Sequence, residues 1–330
     1  MTKALTLIAP EIAPAWRQAI ADGRARWPHL ERLGGRGSIR ALSPPRAGLR
    51  VWQVALLDAL NVHDYAAYPS AAVTRTGDAA QPARDFWLHL QPMHFMAGLD
   101  RLTAVMLHGA SSVARAELVE LEPTIGAHLR AAGMQLVTTS RGDWLVHSER
   151  VLDVQTATPE AAVASPLEQA MPQGRDAPAL RRLMTELQML LHEHPVNVAR
   201  QRRGVPEINA VWLHGSGEIR ELQRYALPQA FGDDLYLRGI YRLNDADVTS
   251  APRDAQALLA RIASRAVVVV AADDVDVLEA AWIAPLTRAL AIGAIAQLEI
   301  VIDRCAVVVA RHALLKFWRG ARAPAQWAAC

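Results

Sequence analysis

Cysteine is nearly absent: the chain has two, Cys305 and Cys330, too few for a disulfide framework and with no metal-type spacing. A reducing cytoplasm is the expected compartment. Net charge is nearly absent too, with 35 Lys and Arg against 33 Asp and Glu. The basic residues are scattered apart from Arg200, Arg202 and Arg203, so neither a nucleic-acid footprint nor a polyanion-binding face is expected. Long apolar runs are missing as well. The N-terminal run is broken by Pro10, Glu11 and Pro14 before it could form a signal-peptide core. The stretch from Trp282 to Ile302 contains Arg288 and Glu299 and falls short of a membrane span. No targeting or membrane segment is expected.

What is present is length and pattern. A chain of 330 residues accommodates one large or two ordinary domains with a substantial core. ALTLIA reads as a first buried strand and VWQVALLDALNV as an apolar helix. Residues 69–85, with Pro69, Gly77, Asp78 and Pro82, read as a surface connection. FWLHLQPMHF and LTAVML form strands about a turn at Gly98 to Arg101. A helix follows, with Leu118, Leu121, Ile125 and Leu129 on one face, a kink or restart at Pro123 and an end at Gly133. MQLVTT and DWLVHS make a second hairpin around residues 141–143.

Residues 151–179, rich in Pro, Ala, Thr and Gln, read as a linker. A helix is predicted from about Pro178 to His194, ended by Pro195, and INAVWL then leads as a strand into HisGlySerGly. RAVVVVAAD has the composition of a strand covered on both faces. VDVLEAAWIAPLTRALAIG is its partner helix, capped by the preceding aspartates and closed by Gly293, and LEIVID and CAVVVAR form an antiparallel pair. The expected architecture is α/β: a core from 1–85 and 180–330, a small α+β insert at 86–150, and a linker at 151–179.

Polar, basic and glycine signals crowd into residues 186–217. The glycines of HisGlySerGly could bring backbone amides to an anion, with Ser216 adding a hydroxyl; they could equally serve a tight turn that needs positive φ at Gly215 or Gly217. His192 and His194 are two residues apart and fall on different helix faces, which argues against joint metal ligation. Asn197 reads as a turn or backbone-bonding residue, and Arg200 as a fork for carboxylate or phosphate or part of a solvated basic face. Asp273 and Asp274 end a strand, where carboxylates hold metals or cap helices, with capping favoured. His89, His94 and His108 read as packed or surface histidines, and Ser111 and Ser112 as a helix start. No nucleophile elbow occurs, and no cofactor is expected.

The run LMTELQMLLHEHPVNVARQRRGVPEINAVWLHGSG resembles the signature of a bacterial group named after cofactor-independent phosphoglycerate mutases, which includes RpfE-type regulatory proteins. FWLHLQPMHFMAGLDRL, GDWLV and the Asp273 to Trp282 region extend the resemblance over about residues 86–318. His194, Pro195, Asn197, Arg200, Gly204, Asn209, Gly215 and Gly217 carry a more distant similarity to archaeal-type mutases. The implied fold is a degenerate alkaline-phosphatase-like α/β core with an α+β insert. Asn197, Arg200, Asn209, Gly215 and Gly217 are the implied ligand-binding residues, for a small phosphorylated or carboxylate ligand.

The chain departs from that pattern where the chemistry would be. Active members need two divalent metals held by an early aspartate, a Ser or Thr nucleophile and a late Asp-His cluster. LTLIAPEI has no aspartate at its end, and AADDVDVLEAAW has no histidine beside its aspartates. His214 also stands where an arginine is frequent. The resemblance therefore implies a non-catalytic regulatory protein with a protein partner. The alternative is an active mutase or related phosphotransferase, with His194 or His214 as acid/base, Ser216 as acceptor and Arg200 on the substrate.

Overall fold

The computed structural model describes residues 3–23, 26–79, 81–98, 101–220, 223–316 and 318–327. Its strands are β1 (Ala4–Ala9), β2 (Ser38–Ala41), β3 (Phe86–Ala97), β4 (Leu102–Met106), β5 (Met134–Thr138), β6 (Trp144–Ser148), β7 (Ala210–Gly217), β8 (Gln229–Phe231), β9 (Arg265–Val269), β10 (Gln297–Ile302) and β11 (Cys305–Ala310). Parallel and antiparallel pairings coexist, so the class is mixed α/β. The chain divides into two compact units: residues 1–44, 51–63 and 224–330 form the first, and residues 45–50 and 64–223 the second. These boundaries differ from those drawn on the sequence. Residues 64–85 and 180–223 group with the two hairpins because helix Ser70–Asp78 packs on β3 and β7, helix Ala177–His192 packs on β7, and β7 pairs with β3.

The first unit is built on a six-stranded sheet in the order β2-β11-β10-β1-β9-β8. β1 pairs in parallel with β9 and β10, and the β10–β11 hairpin is antiparallel. β1 and β9 sit inside the sheet with both faces covered, which is why ALTLIA and RAVVV read as apolar runs without alternation. Trp16 and Trp27 stack at 4.9 Å between ring centroids, and Trp327 joins them in the same core. The helix expected after β9 is present, but it contains a π turn at Glu279–Ile283. Pro285, just after it, has no N–H for the regular ladder, and the wider turn absorbs the defect. Gly293 ends the helix in the left-handed region.

The second unit carries a five-stranded antiparallel sheet. β3 pairs along one edge with β6 and β4, and along the other with β7; β5 pairs with β6. Both hairpins expected from the sequence are present, and the tip residues 99 and 100 of the first turn lie outside the described residues. Helix Arg115–Ala131 runs through Pro123 without a break. The carbonyl that proline leaves unbonded belongs to Val119, which is 61% exposed, so water can satisfy it.

Two segments differ from expectation. Residues 69–85 contain a nine-residue helix, Ser70–Asp78, with seven residues buried. Segment 151–179 contributes helices Pro159–Ala164 and Leu167–Ala170 and places Leu152, Ala162, Leu167 and Ala170 in the core. The first segment is made of small residues and the second is punctuated by proline, so neither shows the apolar periodicity on which a sequence reading depends. Among the described residues no helix is long and apolar enough to cross a membrane.

Candidate functional site

His194 is the N-cap of helix Pro195–Arg202, where its Nδ1 accepts a hydrogen bond from the Val196 amide. Asn197 is fully buried. Its amide donates to the carbonyls of Leu191 and Ile208, and its oxygen accepts from the Ile208 amide at 2.7 Å. Asn209 likewise pairs with both backbone groups of Phe95, at 2.6 and 2.9 Å. Arg200, 1% exposed, donates to Glu117 at 2.7 Å and to the carbonyls of Pro206, Ser111 and Ser112. The turn at Ser111 and Ser112, expected to begin a helix, instead supplies acceptors to this guanidinium. Burial pushes the Glu117 carboxyl up, but the Ala114 amide and the charges of Arg203 and Arg200 outweigh it and hold it below the usual range. His194, Asn197 and Arg200 therefore tie the ends of helices together, and Asn209 ties β7 to β3.

HisGlySerGly does not form a turn after a parallel strand. It is the end of β7, antiparallel to β3, with a register shift opposite Trp87 and His89. Gly215 has φ +62°, and a Cβ there would lie 2.8 Å from the Ser70 Cβ and 3.1 Å from the His89 ring. A Cβ on Gly217 would lie 2.6 Å from the Pro69 Cβ. The glycines thus admit the start of helix Ser70–Asp78 rather than a ligand. Ser216 turns toward the 154–156 segment, meeting the Thr156 hydroxyl at 3.2 Å and the Val154 carbonyl at 3.4 Å.

That close approach assembles a group the sequence did not reveal. Ser70 Oγ lies 3.1 Å from His89 Nε2, and the His89 ring stacks on His214 with centroids 4.9 Å apart. Ser70 and His214 are buried, and His89 is partly exposed. Burial, reinforced by the Arg50 charge, lowers the His89 pKa to about 4. Burial, then His89 and Arg50, holds His214 well below its ordinary value. Both rings are neutral at neutral pH. Among the described residues, His214 Nδ1 has no hydrogen-bond partner. Arg50 is bound to Glu160 at 2.7 Å; burial alone would raise the Glu160 pKa, but Arg50 and hydrogen bonds bring it below the usual range.

The arrangement joins a hydroxyl at a helix N-terminus, where developing negative charge is favoured, to a neutral imidazole that can accept its proton. An imidazole with a pKa near 4 is a weak base, so this contact supports a hydrogen bond better than it supports proton abstraction at neutral pH. No hydrogen bond or ring contact joins His194 to His214 or Ser216 among the described residues, so the three are not brought into one acid/base set. In the sequence His89 reads as a packed or surface histidine and Ser70 goes unmarked, since nothing in YPSAAVTRTGD signals a site.

The strand-end carboxylates lie in the first unit. Asp274 is the N-cap of helix Val275–Leu278, its carboxylate accepting from the amides of Asp276 at 2.7 Å and Val277 at 3.3 Å. Asp276 accepts from the Trp27 indole at 2.8 Å, and Asp273 is exposed. β1 ends at Ala9, followed by Pro10 and the exposed Glu11. Among the described residues no three His, Cys, Asp or Glu side chains converge as metal ligands, so these residues do not fit a two-metal centre.

No protein-family model matches the chain. It is 26% identical over 246 residues to the 2,3-bisphosphoglycerate-independent phosphoglycerate mutase of Methanopyrus kandleri, covering 67% of this chain and 56% of that protein. A shorter match, 33% identical over 73 residues, covers 22% of this chain and 19% of the enzyme of the same name from Methanothrix thermoacetophila. The chain thus spans about a fifth and just over half the length of these two curated relatives. Among solved structures it aligns with a cofactor-independent phosphoglycerate mutase from Thermoplasma acidophilum, at TM-score 0.39 and 13% identity over 93% of this chain and 89% of the other. A protein of Pyrococcus horikoshii aligns at TM-score 0.42 and 13% identity over 94% and 88%. The chain is distantly similar to cofactor-independent phosphoglycerate mutases.

Proposed function

We propose that this chain is a non-catalytic relative of the cofactor-independent phosphoglycerate mutases, with an alkaline-phosphatase-like ancestry and a regulatory, RpfE-like role exerted through a protein partner. The observation that carries this reading is the use of Asp274: a carboxylate in the segment that follows β9 is engaged in capping a helix. The signature residues Asn197, Arg200 and Asn209 support it, because their polar atoms are bonded within the protein. An anion at Arg200 would have to displace Glu117.

A second reading, an active phosphotransferase, is favoured by one contact, Ser70 Oγ to His89 Nε2. Phosphoglycerate mutase turnover measured in added manganese, with metal content determined on the same preparation, separates the two. The expected result is no turnover above that of Ser70→Ala and no stoichiometric metal. Turnover that disappears in Ser70→Ala would establish the enzyme and end the regulatory reading.

A further inference from the structure

β5 (Met134–Thr138) is the outer strand of the five-stranded sheet and pairs with β6 alone. The other sheet margins are blunted in recognisable ways. β2 carries Arg40, which is bound to Glu299. β8 is extended by a bridge from Phe231 to Thr249. β4 has helices Pro159–Ala164 and Leu167–Ala170 packed against it, and β7, which pairs with β3 alone, has helices Ser70–Asp78 and Ala177–His192. β5 also has a helix packed against it, Arg115–Ala131, but the strand carries no device of its own: residues 131–140, AAGMQLVTTS, contain no charge and no proline, in a chain that is 21% charged.

Beside this edge lies helix Arg115–Ala131, which reverses into β5 through Gly133 at φ +74°. Gly126 faces the middle of the strand, for a Cβ there would lie 3.9 Å from the Leu136 Cβ. The flank that carries Gly126 also carries Val119, seven residues earlier and 61% exposed. Glu122 and Arg130 stand four residues to either side of Gly126. Neither makes an ion pair or a side-chain hydrogen bond among the described residues.

We infer that β5 is a self-association edge, at which a second copy of this chain adds its own β5 antiparallel about a two-fold axis at Leu136. Charge complementarity selects that occupant. An axis at Leu136 passes the level of Gly126, so it places Glu122 of each copy opposite Arg130 of the other. It also sets Met134 against Thr138 and Gln135 against Val137, with no like charges opposed across the ladder. The contact is isologous and closes on itself, so it ends at a dimer. A five-residue ladder with one helix flank is a small interface, and the dimer is therefore concentration-dependent.

Sedimentation of the full chain over a concentration series tests this, with circular dichroism verifying that each variant is folded. The wild type is expected to pass from monomer to dimer. Glu122→Arg or Arg130→Glu alone sets like charges together and weakens the dimer by about tenfold or more. The double reversal, Glu122→Arg with Arg130→Glu, restores it. A wild type that stays monomeric at every concentration, as it would if the edge served only a foreign extended peptide, overturns the inference. A dimer indifferent to the single reversals does so as well.

Discussion

Two buried polar groups in the second unit look alike in sequence and differ in structure. Around Arg200 and Asn197, guanidinium and amide meet carboxylate and carbonyls at hydrogen-bond distance. Around His89 and His214, two stacked rings share one hydroxyl contact and an imidazole nitrogen is left without a partner. Buried polar groups are costly unless satisfied. A fully satisfied set therefore behaves as scaffold, and an incompletely satisfied one is where a ligand, a proton or ordered water can still matter. Asn197 and Arg200 of the family resemblance belong to the first kind. The second joins His89 and His214, which lie in runs that share the resemblance, to Ser70, which no motif announces.

The sharpest way to break this comparison is Arg200→Met. If Arg200 is scaffold, its loss leaves Glu117 to Arg203 and the Ala114 amide, strands the carbonyls of Pro206, Ser111 and Ser112 and costs about 3–5 kcal/mol, read as a lower urea midpoint at unchanged slope. A loss within a few tenths of a kcal/mol would instead mark it as a free ligand-binding arginine. Gly215→Ala is expected to cost somewhat less, about 2–4 kcal/mol, because the new methyl meets Ser70 and His89 and the backbone sits at positive φ. If Gly215 lined an open anion site, the same change would be tolerated and only binding would suffer.

The smallest effect is one of pH. His89 folds with its pKa lowered from 6.5 to about 4, so between those values the unfolded chain binds the extra proton. Its contribution is complete above pH 6.5 and is lost as pH falls toward 4. His214 acts in the same direction. Unfolding followed by chemical denaturation from pH 7.5 to 4.5 should show this decline, and His89→Gln with His214→Gln should flatten it. A decline of equal slope in the double variant would assign it to other groups.

How much of this was legible beforehand depended on side-chain size and on partner distance. β1, β9 and the β10–β11 hairpin declared themselves because large β-branched residues in short runs allow few alternatives. Helix Ser70–Asp78 did not, since SAAVTRTGD has no apolar stripe and its burial arises from smallness on every side. The HisPro-x-Asn-x-x-Arg motif was visible as a motif. Its role was not, because Glu117 and Ser111 lie more than eighty residues from Arg200 along the chain and no local spacing encodes them. Pro123 does not show its consequence in sequence for the opposite reason: it faces water, which can satisfy the carbonyl it frees, and the helix continues.

Helix Ser70–Asp78 has a further consequence, for the order in which the molecule forms. Nine residues that include serine, two threonines, glycine and aspartate are too few and too poor in propensity to hold a helix in the unfolded chain. The segment can become helical only where β3 and β7 already offer it a surface. Its contacts therefore belong to the late part of folding, and they slow escape from the native state more than they speed arrival. The pairing of Ser70 with His89 is made when the rest of the unit is already in place, and it is among the first things lost when that unit opens.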